Sequence, residues 1–211
     1  ALVLSAAARS RAQPFPYQPV AEALRAIPVE RLVSSTVEPV WLAEAARLLP
    51  ELRDSRTNLP PPLSVEPEEA RTRLLEALCR MVLWLPAGSQ TLLLCLDDLH
   101  WADSATLDWL VCLVRRMVAR RMDENAGVGS SALILGTYRT AEQQTLRDFR
   151  RNLVRMGVLS ELRLTGLKPA PVLQVVHHLV GSRPGASALA RRLHRATGGN
   201  PFFLLETLRV L

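Results

Sequence analysis

Apolar residues follow two different patterns along the chain, and the alternation of these patterns predicts a fold class. Short continuous apolar runs are typical of parallel strands that are covered on both faces, and they predict strands at 1–5, 91–96 and 132–138. Apolar positions at helical spacing predict helices after Pro19, over 41–52, from Pro67 to Leu85, over 107–118 and over 142–156. Strands that alternate with helices predict an α/β fold with a parallel sheet flanked by helices and right-handed crossovers.

The pattern changes after Gly166, where short helices replace the alternation. An edge strand is predicted at 161–164, and helices are predicted at 171–180, 187–196 and 201–211. Gly198 and Gly199 suit the end of the second of these helices, and Asn200 with Pro201 suits the start of the third. We therefore expect an α/β domain over 1–165 and a small helical subdomain over 166–211.

Composition restricts how such a domain could bind an anion. The 211 residues carry a net charge of +6, which admits nucleic acid or another acidic partner. Lys168 is the only lysine and Gly88 is the first glycine. The chain therefore contains no Gly-x₄-Gly-Lys-Ser/Thr loop, the arrangement whose backbone N–H groups and lysine hold phosphates.

Cysteine usage and hydropathy indicate the compartment. The three cysteines, Cys79, Cys95 and Cys112, lie inside apolar runs without metal-ligand spacing, which predicts reduced core residues of a cytoplasmic protein. No apolar run is long enough to predict a membrane span.

Two adjacent acids provide the sharpest candidate for chemistry. Asp97 and Asp98 follow a five-residue apolar run and should emerge at the carboxyl edge of the sheet, where open α/β sheets bind ligands. Successive strand side chains point in opposite directions, so one acid could face a hydrated magnesium ion and the other a water that attacks phosphate. Two alternatives remain open: the pair could be loop acids that cap a helix, or it could ligate a catalytic metal with His100 and Asp103. Asp103 or Ser104 is also the expected N-cap of the following helix.

Four segments resemble one family of nucleotide-binding domains. The segment LCLDDLHWADSATL at 94–107 resembles the Walker B region of the STAND class of AAA-related P-loop ATPases, found in large bacterial signalling and transcriptional regulators. PFPYQPVAEALR at 14–25 is similar to the segment after the second strand of that family. ALILGTYR at 132–139 resembles its sensor-1 strand, and ATGGNPFFLLETLR at 196–209 resembles its lid segment.

The resemblance implies a partial P-loop fold and a set of site residues. It implies that Asp97 holds Mg²⁺, that Asp98 polarises the attacking water and that Arg139 senses the γ-phosphate. It implies that Gly199, Asn200 and Pro201 approach the adenine of ATP from the lid. The first strand and Walker A loop of the family are absent, so residues 1–165 are expected to be a truncated nucleotide-binding domain with a gap beside the 132–138 strand. Residues 166–211 are expected to begin the lid.

The resemblance also implies a function for the intact protein. We expect a fragment of a regulatory switch that couples Mg-ATP hydrolysis to lid movement, linked to an output domain and helical repeats and able to form a homo-oligomer. The 211 residues alone are expected neither to bind ATP tightly nor to hydrolyse it. A non-catalytic interaction scaffold is the alternative, and direct nucleic-acid binding through arginine-rich helix faces is the least favoured hypothesis.

Overall fold

The chain folds into two compact units, Ala1–Leu159 and Ser160–Leu211. A computed structural model describes residues 1–9, 15–33, 37–56, 58–85, 91–122, 132–181 and 183–210. Residues 123–131, between the predicted helix over 107–118 and the predicted strand at 132–138, and the first residue of the 14–25 segment lie outside these ranges.

A three-stranded parallel sheet lies at the centre of the first unit. Its strands are β1 (Leu2–Ala7), β2 (Leu92–Asp97) and β3 (Ala132–Gly136), and they lie side by side in the order β1-β2-β3. Leu92 of β2 pairs with Leu2 on one side and with Ala132 on the other, so β2 is the central strand. The predicted parallel α/β arrangement is confirmed.

Seven helices complete the described part of the first unit. They are α1 (Gln18–Arg25), α2 (Val29–Val33), α3 (Pro39–Ala45), α4 (Glu51–Ser55), α5 (Pro67–Trp84), α6 (Ser104–Met122) and α7 (Arg147–Arg155). Asp103 caps α6, because its carboxylate accepts hydrogen bonds from the Thr106 backbone N–H (2.9 Å) and from the Thr106 hydroxyl (2.6 Å). The N-cap predicted at this position is therefore Asp103.

The described helices bury one face of the sheet and leave the other accessible. Leu4, Leu94 and Leu96 are each 1% exposed, whereas Leu133 is 61% and Leu135 is 54% exposed on the opposite face. The expectation that both faces are covered is therefore wrong for the described residues. The physical reason is topological: right-handed crossovers that step in one direction, from β1 to β2 to β3, place all their helices on the same side.

Three local predictions also need correction. The helix predicted over 41–52 is interrupted between α3 and α4, since Pro50 has no N–H and its ring would collide with the carbonyl one turn earlier. The helix predicted over 142–156 begins as a 3₁₀ segment at Thr140–Leu146 and becomes α7 only at Arg147. Residues 161–164 form no strand and are exposed.

A buried carboxylate connects α3 to α5. The side chain of Glu44 is 1% exposed and accepts hydrogen bonds from Arg73 Nε and Arg47 Nε, both at 2.9 Å. Burial by itself raises the pKa of Glu44, but the two guanidinium hydrogen bonds outweigh it and hold the pKa below its usual value of 4.5. Glu44 is therefore a paired buried charge within an otherwise apolar core.

The second unit consists of three helices, α8 (Pro169–Val180), α9 (Ala186–Thr197) and α10 (Pro201–Val210). Val172, Val176, Leu193 and Leu204 form its small apolar core with two buried alanines. Among the residues that the structure describes in either unit, no helix is both long and apolar enough to cross a bilayer.

Truncation of one leucine on each face of the sheet should separate the covered face from the accessible one. We expect Leu94→Ala to lower the free energy of unfolding by about 3 kcal/mol, because it leaves a cavity in the core. Leu135→Ala should cost about 1 kcal/mol or less, since its side chain is largely in water already. Urea denaturation followed by circular dichroism measures both, and equal losses would contradict the one-sided cover.

Removal of the buried carboxylate should destabilise the first unit. Glu44→Gln leaves two partly buried guanidinium groups without a counter-charge, and we expect a loss of about 3 kcal/mol at pH 7. Glu51→Gln, which breaks the exposed Arg25–Glu51 pair (2.9 Å), is the matched control and should cost less than about 1 kcal/mol.

The wild type and the Glu44→Gln variant should also differ in how their stability depends on pH. Because folding lowers the pKa of Glu44, its stabilisation is fully present above pH 4.5 and is lost as the pH falls through the folded-state value. The wild type should therefore lose its advantage over Glu44→Gln below pH 4.5. An advantage that stayed constant down to pH 2 would contradict this assignment.

Candidate functional site

The two adjacent acids lie at the carboxyl end of the central strand. Asp97 is the last residue of β2, and its carbonyl accepts a hydrogen bond from the Ala8 N–H (2.9 Å) just beyond β1. Asp98 has φ 56° and ψ 42°, a left-handed conformation, and is therefore no longer part of the strand. The expectation that the two side chains simply alternate along a strand is wrong, because the backbone turns between them.

Thr137 connects both acids to the neighbouring strand. Its hydroxyl donates a hydrogen bond to Asp97 Oδ1 and accepts one from the Asp98 backbone N–H, each at 3.1 Å. Its backbone N–H donates to the carbonyl of Leu96 (3.0 Å), and its own carbonyl accepts from the N–H of Leu99 (2.8 Å). A single hydroxyl can donate one bond and accept others, so Thr137 orients one carboxylate and holds the left-handed turn of the other.

Sequence motifs alone do not identify Thr137, although the apolar pattern contains a signal for it. It is the first polar residue after the apolar run of β3 and therefore lies at the same edge of the parallel sheet as Asp97. A polar residue at the end of each of two adjacent buried strands predicts such a contact.

His100 lies in a 3₁₀ turn, Leu99–Trp101, directly after the acids. Its side chain is 1% exposed, and Nδ1 lies 3.8 Å from Asp98 Oδ1. That distance is too long for a hydrogen bond. Neither ring nitrogen has a hydrogen-bond partner among the described residues.

Arg139 follows Thr137 by two residues, at the same edge of the sheet. It lies in extended backbone before the 3₁₀ segment Thr140–Leu146, and it is exposed. A guanidinium is always charged and can bind two phosphate oxygens at once, so its chemistry suits an anion. The structure thus places Asp97, Asp98 and Arg139 on one edge of one unit.

The other three candidate residues lie in the second unit, in a tight backbone joint. Gly199 has φ 74° and is buried, and a Cβ there would lie 2.1 Å from the carbonyl oxygen of Leu167. The N–H of Leu167 donates to the carbonyl of Gly199 (2.7 Å). Asn200 Oδ1 accepts from the N–H of Phe202 (3.0 Å) and so caps α10, in which Pro201 is the first residue.

The described residues do not form a metal site made only of protein ligands. No group of three or more His, Cys, Asp or Glu side chains among them could hold a metal ion, and Asp103 is engaged as a helix cap. The alternative of a catalytic metal ligated by the acids, His100 and Asp103 is therefore not supported. Magnesium needs less, since one or two carboxylates with waters and substrate phosphates suffice, and Asp97 and Asp98 fit that requirement.

Variants of Asp98 should reveal the strain of its left-handed backbone. A residue with a Cβ in this conformation costs roughly 1 kcal/mol that glycine avoids. We therefore expect Asp98→Gly to be about 1 kcal/mol more stable than Asp98→Ala, with Asp98→Asn between them. Chemical denaturation measures the difference, and equal stability of the glycine and alanine variants would contradict the left-handed turn.

Comparison with known families identifies the class of the domain. The AAA ATPase domain family model matches residues 1–122, which is more than half of the chain, and the chain therefore belongs to that family. The match extends from β1 through α6 and includes both acids, whereas Arg139 and the Gly199–Pro201 joint lie beyond it. No curated protein and no solved structure matches the chain.

Proposed function

We propose that this chain is part of an ATP-binding and ATP-hydrolysing regulatory switch of the STAND class. Membership of the AAA ATPase domain family supports the nucleotide chemistry. The observation that carries the proposal is the pair Asp97–Asp98 at the end of the central strand, held from the neighbouring strand by Thr137.

In this proposal Asp97 binds the magnesium ion. When bound, Mg²⁺ neutralises charge on the phosphates of ATP and orients them. Asp97 is exposed, and the Thr137 hydroxyl fixes the direction of its carboxylate, as a ligand to one ion requires. The residue thus combines access to solvent with a fixed position.

Asp98 accepts a proton from the attacking water in the same proposal. Its side chain is 45% exposed, so water can reach it, and its backbone is held by the hydrogen bond to Thr137. A carboxylate that is fixed close to a reacting water acts as a general base without any movement of the chain. Arg139 would stabilise the γ-phosphate from the same edge of the sheet.

The second unit would provide the lid in this proposal. Asn200 and Pro201 are exposed at the start of α10 and would contact the adenine, while Gly199 is buried and would shape the backbone behind them. Nucleotide-dependent movement of this unit would signal to a regulatory output domain and helical repeats in a cytoplasmic transcriptional or signalling protein, in which the chain could also form a homo-oligomer.

A phosphate-binding loop is the missing requirement for catalysis by these residues alone. The 211 residues contain no Gly-x₄-Gly-Lys-Ser/Thr sequence. Without those backbone N–H groups and the lysine, most contacts to the β- and γ-phosphates are lost. We therefore expect no ATP hydrolysis by the 211 residues in isolation.

Steady-state ATP hydrolysis by the product of the natural gene tests the proposal. Asp98→Asn should lower kcat by about 10²–10⁴-fold and leave ATP binding intact, because it removes the general base. Asp97→Asn should raise the Mg²⁺ concentration needed for half-maximal activity. Asp108→Asn is the matched control, since it changes an exposed aspartate of α6, and it should leave kcat unchanged.

Two results would contradict the proposal in different ways. Absence of Mg-dependent hydrolysis by the natural gene product would exclude the ATPase. Hydrolysis by the isolated 211 residues that Asp98→Asn abolishes would instead exclude the requirement for a further phosphate-binding loop.

A non-catalytic interaction scaffold is the second candidate function. Two observations favour it: the absence of a phosphate-binding loop and the exposed leucines on the open face of the sheet. If the natural gene product binds no ATP and Asp98→Asn leaves its biological activity intact, an interaction scaffold is the function of the protein and the ATPase switch is excluded.

A further inference from the structure

An open cavity lies in the first unit, and neither Asp97 nor Asp98 lines it. Its volume is about 340 Å³, which is within the range of sites that hold small molecules. The residues just before α1, the turn after α3, the first turns of α5 and the start of α6 surround it. Its lining is mostly apolar, and its polar groups come from Tyr17, Arg47 and Arg71.

The backbone of Tyr17 has a conformation that is unfavourable for a residue with a Cβ. Its φ is 61° and its ψ is 17°, and among the described residues other than glycine only Asp98 shares a positive φ. The Tyr17 N–H donates a hydrogen bond to Asp103 Oδ1 (3.4 Å), so the residue that caps α6 also holds this turn. Backbone strain of this kind is concentrated at ligand sites, and here it fixes an aromatic ring beside a cavity.

The hydroxyl of Tyr17 lacks the partner that a buried polar group normally has. The residue is 5% exposed, and its phenol oxygen is shielded from solvent without a hydrogen bond of normal geometry to any described residue. Burial raises the pKa of Tyr17 above its usual value of 10, although Arg71 lies close enough to act in the opposite direction. The phenol is therefore neutral at pH 7 and can donate one hydrogen bond to an acceptor that enters the cavity.

The two arginines of the lining carry more N–H groups than their hydrogen bonds to described residues use. Arg71 donates from Nη2 to Asp108 (2.6 Å). Arg47 donates from Nε to Glu44 (2.9 Å) and from Nη2 to the carbonyl of Leu63 (2.8 Å). Because a guanidinium carries five N–H donors, each arginine keeps donors for a further acceptor.

The acids close to these groups do not line the cavity. Glu44, Asp103 and Asp108 are absent from its lining, so a ligand would meet only cationic, neutral and apolar groups. A molecule with one negative charge and an apolar body matches this surface, since a guanidinium binds both oxygens of a carboxylate with parallel N–H groups. A phosphate with two charges matches it less well, because the three acids behind the lining would repel the second charge.

We propose that this cavity is a binding site for a small apolar monocarboxylate, an acid with an aryl or short alkyl body. The carboxylate accepts hydrogen bonds from the Arg71 guanidinium and the Tyr17 hydroxyl, and the charge of Arg47 adds to its attraction. The apolar body packs against Pro16 and Leu74. This site shares no residue with the proposed ATPase site, and its test requires no nucleotide.

Titration of the 211-residue chain with three probes, followed by NMR at pH 7, tests the proposal. The probes are phenylacetate, 3-phenylpropionate and octanoate, each paired with its neutral amide. We expect at least one carboxylate to bind saturably with one molecule per chain. Its amide should bind about tenfold more weakly, because it cannot form the charged pair with Arg71. Inorganic phosphate at the same concentration should not displace the carboxylate.

Three variants locate the binding site. Arg71→Gln should abolish the preference for carboxylate over amide, and Tyr17→Phe should weaken carboxylate binding about tenfold. Asp108→Asn is the matched control, since it breaks the same exposed Arg71–Asp108 ion pair without changing a lining residue, and it should leave binding intact. Circular dichroism checks that each variant is folded, as expected for the loss of an exposed ion pair or of one hydroxyl.

Four results would overturn the proposal. The first two are the absence of binding by all three carboxylates and equal binding of acid and amide by the wild type. The third is a preference for the acid that survives Arg71→Gln. The fourth is displacement by inorganic phosphate, which would indicate an anion site without an apolar requirement. All but the third are measured on the wild type and do not require any variant to fold.

Discussion

The position of β2 between two parallel partners is the constraint on which the first unit depends. Both edges of β2 are hydrogen-bonded and one of its faces is packed against helices, whereas its last residue, Asp97, is exposed. A carboxylate at any earlier position on its covered face would lose its hydration without a compensating partner. The acids are found at the carboxyl end of this strand, where a charge is tolerated and can also meet a ligand.

The polar groups of the unit are used in two different ways. Glu44 has its charge neutralised by two arginines inside the core, and it stabilises the contact of α3 with α5. Asp97 and Asp98 are held by the neutral hydroxyl of Thr137, which donates to the Asp97 carboxylate and accepts from the Asp98 backbone N–H, and both carboxylates remain accessible at the surface. This difference distinguishes a structural carboxylate from a candidate catalytic one more clearly than their positions in the sequence do.

Much of the first unit could be predicted from local sequence. The three apolar runs correspond to β1, β2 and β3, Pro67 is the first residue of α5, and the acids were identified by their place after a buried run. The open face of the sheet could not be predicted in this way, because it depends on the direction in which successive crossovers step rather than on any one strand. The roles of Asp97, Asp98 and Arg139 toward ATP remain predictions.

The three cysteines illustrate a second limit of sequence reasoning. All three lie in apolar runs, and nothing local distinguishes them. Only the fold distinguishes them, since Cys79 of α5 is buried, whereas Cys112 of α6 and Cys95 of β2 are partly buried. Asp98 illustrates the same limit, since an aspartate that follows a strand does not by itself indicate a left-handed backbone conformation.

The glycine joint of the second unit has a consequence for how this unit can change through evolution. A Cβ on Gly166 would lie 2.2 Å from the carbonyl oxygen of Gly198, so the backbone that enters α8 touches the backbone that leaves α9. The segment that contains α8 and α9 therefore begins and ends at neighbouring points of the backbone. Residues can be added to or removed from the turn between α8 and α9 without any change in where α10 begins, and that turn is the natural place for related proteins to differ in length.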